Sequence, residues 1–383
     1  MVLLKHFIRS SLSYRLKRKF LLSLFLYTSS YANSYLKNNF IEDKDSYILS
    51  GYVEAYSTKL PFNLFEKQWD LLPQRDSLNT NFATLNYDIS YNNSNNIRFG
   101  MFREKSVNTI INDGFIDTWY DALQDFNVLL KKSSITTELD TVDIYAEGNF
   151  YDTSGLFVQK VISPYRYNYL SLKTKFYYGK EMQYINTVGY NNKSRFELDL
   201  EYYYTDDNIV TKNNYQDDIY NGYGYGFDLE YIYYDNIWYI YAGLLNIGAN
   251  IYWNSITHIY YKFDSDTTYY DEDGYKHSRA FGNGYYEFDI DYKQKIPMYH
   301  KLSIDYKINE YLNIGNNLVG YKSANFNEPY IMINKNNHRV KFGYGIEVKN
   351  AVFGYYYKNI GIQLSNKIGS NQSNLITTYK ITF

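Results

Sequence analysis

The sequence predicts an all-β fold: a transmembrane antiparallel β-barrel of about 14 strands, within a range of 12–18, with long outer loops. Three observations carry this. The last strand alternates, with Leu375, Thr377, Tyr379, Ile381 and Phe383 on one face and Asn374, Ile376, Thr378, Lys380 and Thr382 on the other. That is the period of an extended chain with two unlike sides. The same alternation recurs through the chain. Composition is the third observation: 50 tyrosines, 20% aromatics, five prolines and no cysteine in 383 residues, at a mean hydropathy of -0.50. A barrel tolerates so low a mean because only alternate residues meet lipid. A tyrosine ring sits at headgroup level with its hydroxyl hydrated. An AT-rich genome would also raise Tyr, Asn, Lys and Ile together, so placement weighs more than abundance.

Residues 1–32 read as a signal peptide. Lys5, Arg9, Arg15, Lys17, Arg18 and Lys19 form a basic leader, Phe20 to Tyr27 a short apolar run, and Ser29, Ser30 and Ala32 a small-residue cleavage region. The run is too short to span a bilayer. An amphipathic anchor helix is the alternative. Losing six cations takes the formal charge from -2 to about -8, which argues against nucleic acid as a partner. No later run approaches the ~18 apolar residues of a membrane helix, so residues 33–383 read as the barrel domain.

The clearest strand is 194–205. Phe196, Leu198, Leu200, Tyr202 and Tyr204 share one face; Arg195, Glu197, Asp199, Glu201 and Tyr203 share the other. One face suits lipid and the other water. Segments 222–234, 298–308 and 338–349 repeat the design. Weaker copies lie near 81–91, 96–104, 141–151, 155–163, 166–178, 181–190, 237–253, 310–321 and 351–364. Asn92–Asn96, Asp152–Gly155, Asn191–Lys193, Asp235–Asn236, Asn309–Glu310 and Lys349–Asn350 read as tight turns, rich in residues that tolerate left-handed backbone. Counting back from Phe383 puts Asn309–Glu310, Lys349–Asn350 and the stretch 105–140 on the periplasmic side. Segments 206–221, 254–297, 322–337 and 365–373 become outer loops. Tyr47 to Tyr56 fall outside the wall. So many strands predict a lumen wider than the side-chain-filled interior of eight. Residues 114–132 carry helical spacing, suiting a lumen plug or constriction, or a surface or periplasmic cap.

The terminal Phe383 with Tyr379 and Ile381 resembles the C-terminal signal of bacterial outer-membrane barrels. Segment 222–321, with its Asn-x-Gly strand end and later x-Pro strand, resembles FadL-like and PorV-like barrels. The resemblance implies a Gram-negative outer-membrane location. Its partners would be outer-membrane lipid, periplasmic chaperones and the barrel assembly machinery. The chain after Ala32 does not match that family's N-terminal hatch.

Catalytic chemistry is thin. His6, His258, His277, His300 and His338 are scattered and read as surface or interfacial residues, and none pairs at metal-ligand spacing. Asp264, Asp266, Asp271, Asp273 and His277 read as a solvated acidic loop. Gly222, Gly224 and Gly226 sit inside a strand, not before a helix, so they cradle no phosphate. No catalytic residue, cofactor or metal is expected, and the chain does not read as an enzyme. Charges opposite apolar faces are expected to line the lumen: Arg195, Glu197, Asp199, Glu201, Asp228, Glu230, Asp305, Lys307, Arg339, Lys341 and Glu347, with Asp289, Asp291 and Lys301 beside them. Their acid excess would favour cations slightly. Two functions stay open: a porin-like channel or transporter for small solutes, and a non-conducting barrel serving as a surface, secretion or structural partner.

Overall fold

The computed structural model describes residues 45–57, 79–112, 114–115, 141–192, 195–205, 222–266, 268–270, 272–278, 282–322, 324–347, 349–357, 360–366 and 373–382. The first strands are β1 (Ser46–Ser57), β2 (Asn79–Asn92), β3 (Ile97–Ile111), β4 (Thr141–Tyr165), β5 (Asn168–Asn192) and β6 (Phe196–Tyr204). Then come β7 (Gly222–Tyr234), β8 (Trp238–Asp264), β9 (Thr268–Tyr270), β10 (Lys276–Ser278), β11 (Gly282–Lys295) and β12 (Tyr299–Lys307). The last are β13 (Leu312–Tyr321), β14 (Ala324–Lys335), β15 (His338–Gly345), β16 (Asn350–Tyr357), β17 (Ile360–Asn366) and β18 (Ser373–Thr382). The signal segment 1–32 and Phe383 lie outside the described residues, as does the 114–132 helix beyond Gly114 and Phe115.

The sheet is a closed ring. β1 pairs with β2 on one edge and β18 on the other, so Gly51 lies opposite both Tyr87 and Tyr379. Between β5 and β8 lie two collinear segments. β7 covers Asn168 to Gly179 of β5, and β6 covers Gln183 to Asn191. Both continue onto β8. β11 and β12 share the other edge of β8 in the same way, interrupted at Ile296, Pro297 and Met298. Proline has no N–H for a ladder, which fits a break at that point. The main sheet counts 16 strands. Two collinear pairs reduce these to fourteen staves, the number expected from the sequence.

Side chains alternate across the wall, inverted relative to a soluble sheet. Ile89, Met101, Leu156, Leu172, Phe227, Ile331, Phe342, Phe353 and Leu364 stand exposed on the outside. Asp88, Glu104, Lys175, Asp228, Lys301, Asp305 and Lys341 are buried inside. Apolar-out and polar-in is the pattern of a wall that meets hydrocarbon. Phe353, half exposed and packed edge-on to Phe342 at 5.6 Å, tests this. Phe353→Lys should lower the stability of the barrel in phospholipid vesicles by about 2–4 kcal/mol, read from urea unfolding. An unchanged midpoint would mean that this face does not touch lipid.

Several sequence expectations are corrected. Tyr47 to Tyr56 belong to β1 and close the barrel. Both chain ends of the sheet lie at one rim, since Ile48 pairs with Thr382. The end of β3 at Ile111 and the turn at Lys349 therefore lie at the far rim, not the terminal one, and residues 116–140 lie outside the described residues. Segment 322–337 is mostly the strand β14, and 254–297 holds the end of β8 and all of β11. The expected strand 351–364 is two, β16 and β17. Asp152–Gly155 is no turn: β4 runs straight through it, as β5 runs through 178–181.

β4, β5 and β8 are 25, 25 and 27 residues long, well beyond the ~9–11 needed to cross hydrocarbon. Their far ends, with β6 and β11, rise past the rest of the rim as a curved wing. β3 meets β4 only as far as Ile111 opposite Ala146. Among the described residues β11 pairs with β8 alone. Arg103 and Lys105 point outward onto Asp152, and charge on a lipid face is costly, so this trio marks the upper edge of the apolar band. The strands also kink at this level. The β4–β5 register shifts after Asp152, and Ser255 and Asp289 both have φ of 57°. Such bulges bend a strand and sharpen its twist.

Candidate functional site

The facing walls of the lumen touch each other among the described residues. β1 and β12 are seven staves apart in a ring of fourteen, diametrically opposed. Yet the hydroxyls of Tyr52 and Tyr299 are 3.2 Å apart. Lys301 Nζ donates to Glu54 Oε1 at 2.6 Å, with both side chains almost fully buried. The Lys301 ammonium also sits 5.2 and 5.5 Å from the ring centres of Tyr52 and Tyr299. A round barrel of this strand number would hold these groups apart. The barrel is therefore flattened, which corrects the expectation of a wide lumen.

Apolar packing supports the flattening. Tyr56, Phe82, Leu245, Tyr299, Val319, Tyr321 and Phe326 form one cluster between the facing walls, with Phe82 5.2 Å from Tyr299 and 5.3 Å from Tyr321. A second cluster joins Phe102, Tyr151, Phe157, Tyr177, Met182, Ile251, Trp253 and Ile296. Trp253 Nε1 donates to Gln294 Oε1 at 2.9 Å, and Gln294 Nε2 donates to Asn149 Oδ1 at 2.7 Å. Those bonds tie β11 to β4 across the interior.

A charged layer is interleaved with the second cluster and extends toward the terminal rim. Arg98 Nη2 is 2.5 Å from Asp88 Oδ1, and Ser50 and Ser90 also donate to Asp88. Lys175 lies 3.0 Å from Asp228 and 3.8 Å from Glu104, and donates to Asn246 Oδ1 at 2.8 Å. Tyr151 donates to Glu104 at 2.6 Å. The left-handed Asn246, at φ 60°, turns its amide N–H onto Asp228 at 2.9 Å. Buried ions cost several kcal/mol each unless paired and hydrogen-bonded, and here the carboxylates are answered.

The lumen-lining candidates separate into three groups. Asp228, Glu230, Asp305, Arg339 and Lys341 line the interior. Glu230 accepts from Tyr241 at 3.0 Å. Asp305 accepts from Tyr330. Lys341 pairs with Glu328, and Arg339 lies over the Tyr356 ring. Arg195, Glu197, Asp199 and Glu201 share that inward face but stand on the wing, above the lumen. Lys307 is exposed at the terminal rim, and Glu347 lies in the far-rim turn, accepting from the Asn327 amide at 2.7 Å. Neither lines the lumen. Tyr379 and Ile381 take their places in the closing strand opposite Gly51 and Leu49. Glu54, Asp88, Arg98, Glu104 and Lys175 were not singled out in the sequence. The weak alternation of 81–91 and 96–104 was the signal that could have found three of them.

The inner face of the wing is aromatic and acidic. Tyr203 stacks on His258 at 4.2 Å and 7°, and on Tyr292 at 4.3 Å and 22°. His258 is thus buried, not a surface residue. Its Nδ1 is 2.7 Å from Glu287 Oε2. Higher up, Lys262 bonds Glu197 at 2.7 Å and Arg195 grips Asp264 through two bonds. The Lys262 hydrogen bond holds the Glu197 carboxyl below its ordinary range. Burial, then the charge of Glu147, pushes the Tyr184 hydroxyl up to about 12. Among the described residues no three His, Cys, Asp or Glu side chains are placed to hold a metal ion.

No known family model matches the chain, and no curated protein matches it in sequence. Several solved barrels resemble it in structure. A deltaS2S3 mutant of the TodX monoaromatic hydrocarbon channel aligns with a TM-score of 0.40 at 10% identity, over 93% of this chain and 94% of its own. The P. putida toluene transporter TodX aligns with a TM-score of 0.36 at 10% identity, over the same shares. The outer membrane protease OmpT from Escherichia coli gives 0.24 at 13% identity, over 88% of this chain and 95% of its own. At these scores and identities nothing of their activities carries over.

Proposed function

We propose that this chain is a bacterial outer-membrane barrel that conducts small polar solutes only when its facing walls part. One observation carries the reading: paired ionisable side chains sit in the interior among the apolar clusters, where apolar ones would pack at lower cost. Ionisable groups inside a membrane-spanning wall are expensive to keep, and they mark pathways more often than scaffolds. Acids and bases are close to balanced in the interior, so weak ion preference replaces the cation preference expected from the sequence. The direct wall-to-wall contact favours a second reading, a non-conducting barrel serving at the surface. Planar-bilayer recording of the refolded protein separates them. Wild type should show no steady open channel. A Tyr52→Ala, Tyr299→Ala double variant, relieved of the hydroxyl contact between the walls, should show steady conductance. Silence in both proteins would leave the non-conducting reading standing.

A further inference from the structure

We infer that the wing holds a binding site for an organic cation bearing N–H donors, such as a guanidinium or a primary ammonium, between Glu201, His258 and the stacked tyrosines. The site sits at the far mouth of the proposed conduit. It rests on that reading only for the onward route, not for binding.

Four strands build it, with His258 coming from β8. β5 supplies Tyr184, β6 supplies Glu201 and Tyr203, and β11 supplies Tyr292. Register brings them together: Tyr203 lies opposite Tyr184 on one side and His258 on the other. Tyr184 lies 6.2 Å from Tyr203 and 6.1 Å from Tyr292. The floor is the apolar cluster against which Tyr184, Tyr203 and Tyr292 pack. Two residues along β6 from Tyr203, Glu201 shares its inward face. Its carboxylate has no hydrogen bond or ion pair among the described residues, although it is near enough to raise the hydroxyl pKa of Tyr184, Tyr203 and Tyr292. Neighbouring acids already hold cations: Glu147 has Lys322 at 2.7 Å, and Glu197 has Lys262.

A second, independent observation points to a ligand. His258 is only 6% exposed, and its Nε2 is buried without any hydrogen-bond partner. Nδ1 lies on the Glu287 carboxylate, so in the neutral tautomer that donates there Nε2 is left as a bare acceptor. A buried polar atom with no partner is costly. A ligand N–H would satisfy it, a nearby carboxylate would balance the ligand's charge, and aromatic faces favour a cation over them. An anion would meet Glu201, Glu147 and Glu287 together, and a neutral apolar ligand would leave both Nε2 and Glu201 unanswered.

The test uses the refolded full-length barrel in detergent, so that conduction is not involved. Binding of arginine methyl ester, tetramethylammonium and acetate is followed by calorimetry. Arginine methyl ester should bind saturably, tetramethylammonium more weakly because it has no N–H, and acetate not at all. Glu201→Gln should weaken arginine methyl ester by about tenfold or more. His258→Phe keeps a ring in the stack but removes Nε2, and should erase the preference over tetramethylammonium. Heat-modifiable gel mobility confirms that each variant is folded. Non-saturable binding to wild type, or equal affinity in Glu201→Gln, overturns the site. Saturable binding together with a silent Tyr52→Ala, Tyr299→Ala variant in planar bilayers would instead sink the conduit and leave the site standing.

Discussion

A Val53→Pro chain should fail to close its barrel. Val53 lies opposite Leu85 of β2 and Thr377 of β18, so its N–H is used by one neighbour or the other. Proline removes that N–H and clashes within a flanked strand, at a cost of about 3 kcal/mol or more. The position matters beyond the local bond. β1 and β18 are the first and last staves, and their ladder converts an open sheet into a ring with no exposed edge. A sheet left open in hydrocarbon carries two rows of unpaired backbone groups. The expected result is loss of the compact, heat-modifiable band on cold SDS gels and aggregation on refolding, whereas Val53→Ala refolds. A Val53→Pro protein with the wild-type folded fraction would show that closure does not run through this pair.

The same strand shows where the sequence was readable and where it was not. β18 was legible because its two faces differ. β1 was not, because Ile48, Tyr52 and Tyr56 point into a packed interior while Tyr47 and Leu49 point out. Apolar residues then fall on both faces, and the alternation that marks a wall strand fades. The flattening of the barrel thus hid one of its staves. β4 and β5 were each read as two strands for a different reason. A bulge at Lys180, the residue left out of register between Gly179 and Glu181, swaps the inward and outward parity. In β5 that switch resembles a turn; β4 has no switch, since Tyr151 and Phe157 both enter the same interior cluster, and its Asp152–Gly155 run only has the composition of a turn. The stave count survived because missed and divided strands offset each other, so the agreement at fourteen says less than the register does. Lumen charges on β7, β12 and β15 could be read from their alternation. The contacts between the facing walls could not, since nothing local in Glu54 or Tyr52 reports a partner almost 250 positions away.

That long-range pair gives the second large effect. In Lys301→Met, Glu54 keeps its charge in an interior where it is only 3% exposed, and its closest cation is gone. Leaving one member of a buried pair uncompensated costs about 3–5 kcal/mol. Part of that is recoverable if the walls separate and water reaches Glu54. Stability and closure are then coupled: the variant either stays shut and loses most of that energy, or opens and loses less. Glu54→Gln with Lys301→Met removes both charges and should recover much of the loss, because replacing a buried ion pair by neutral groups is often nearly free. Urea unfolding of wild type, both single variants and the double variant in vesicles gives the coupling energy. Non-additivity should fall on the stabilising side for the double variant. Strict additivity would mean that Glu54 and Lys301 do not meet, and the facing walls would then be held by tyrosine and phenylalanine packing alone.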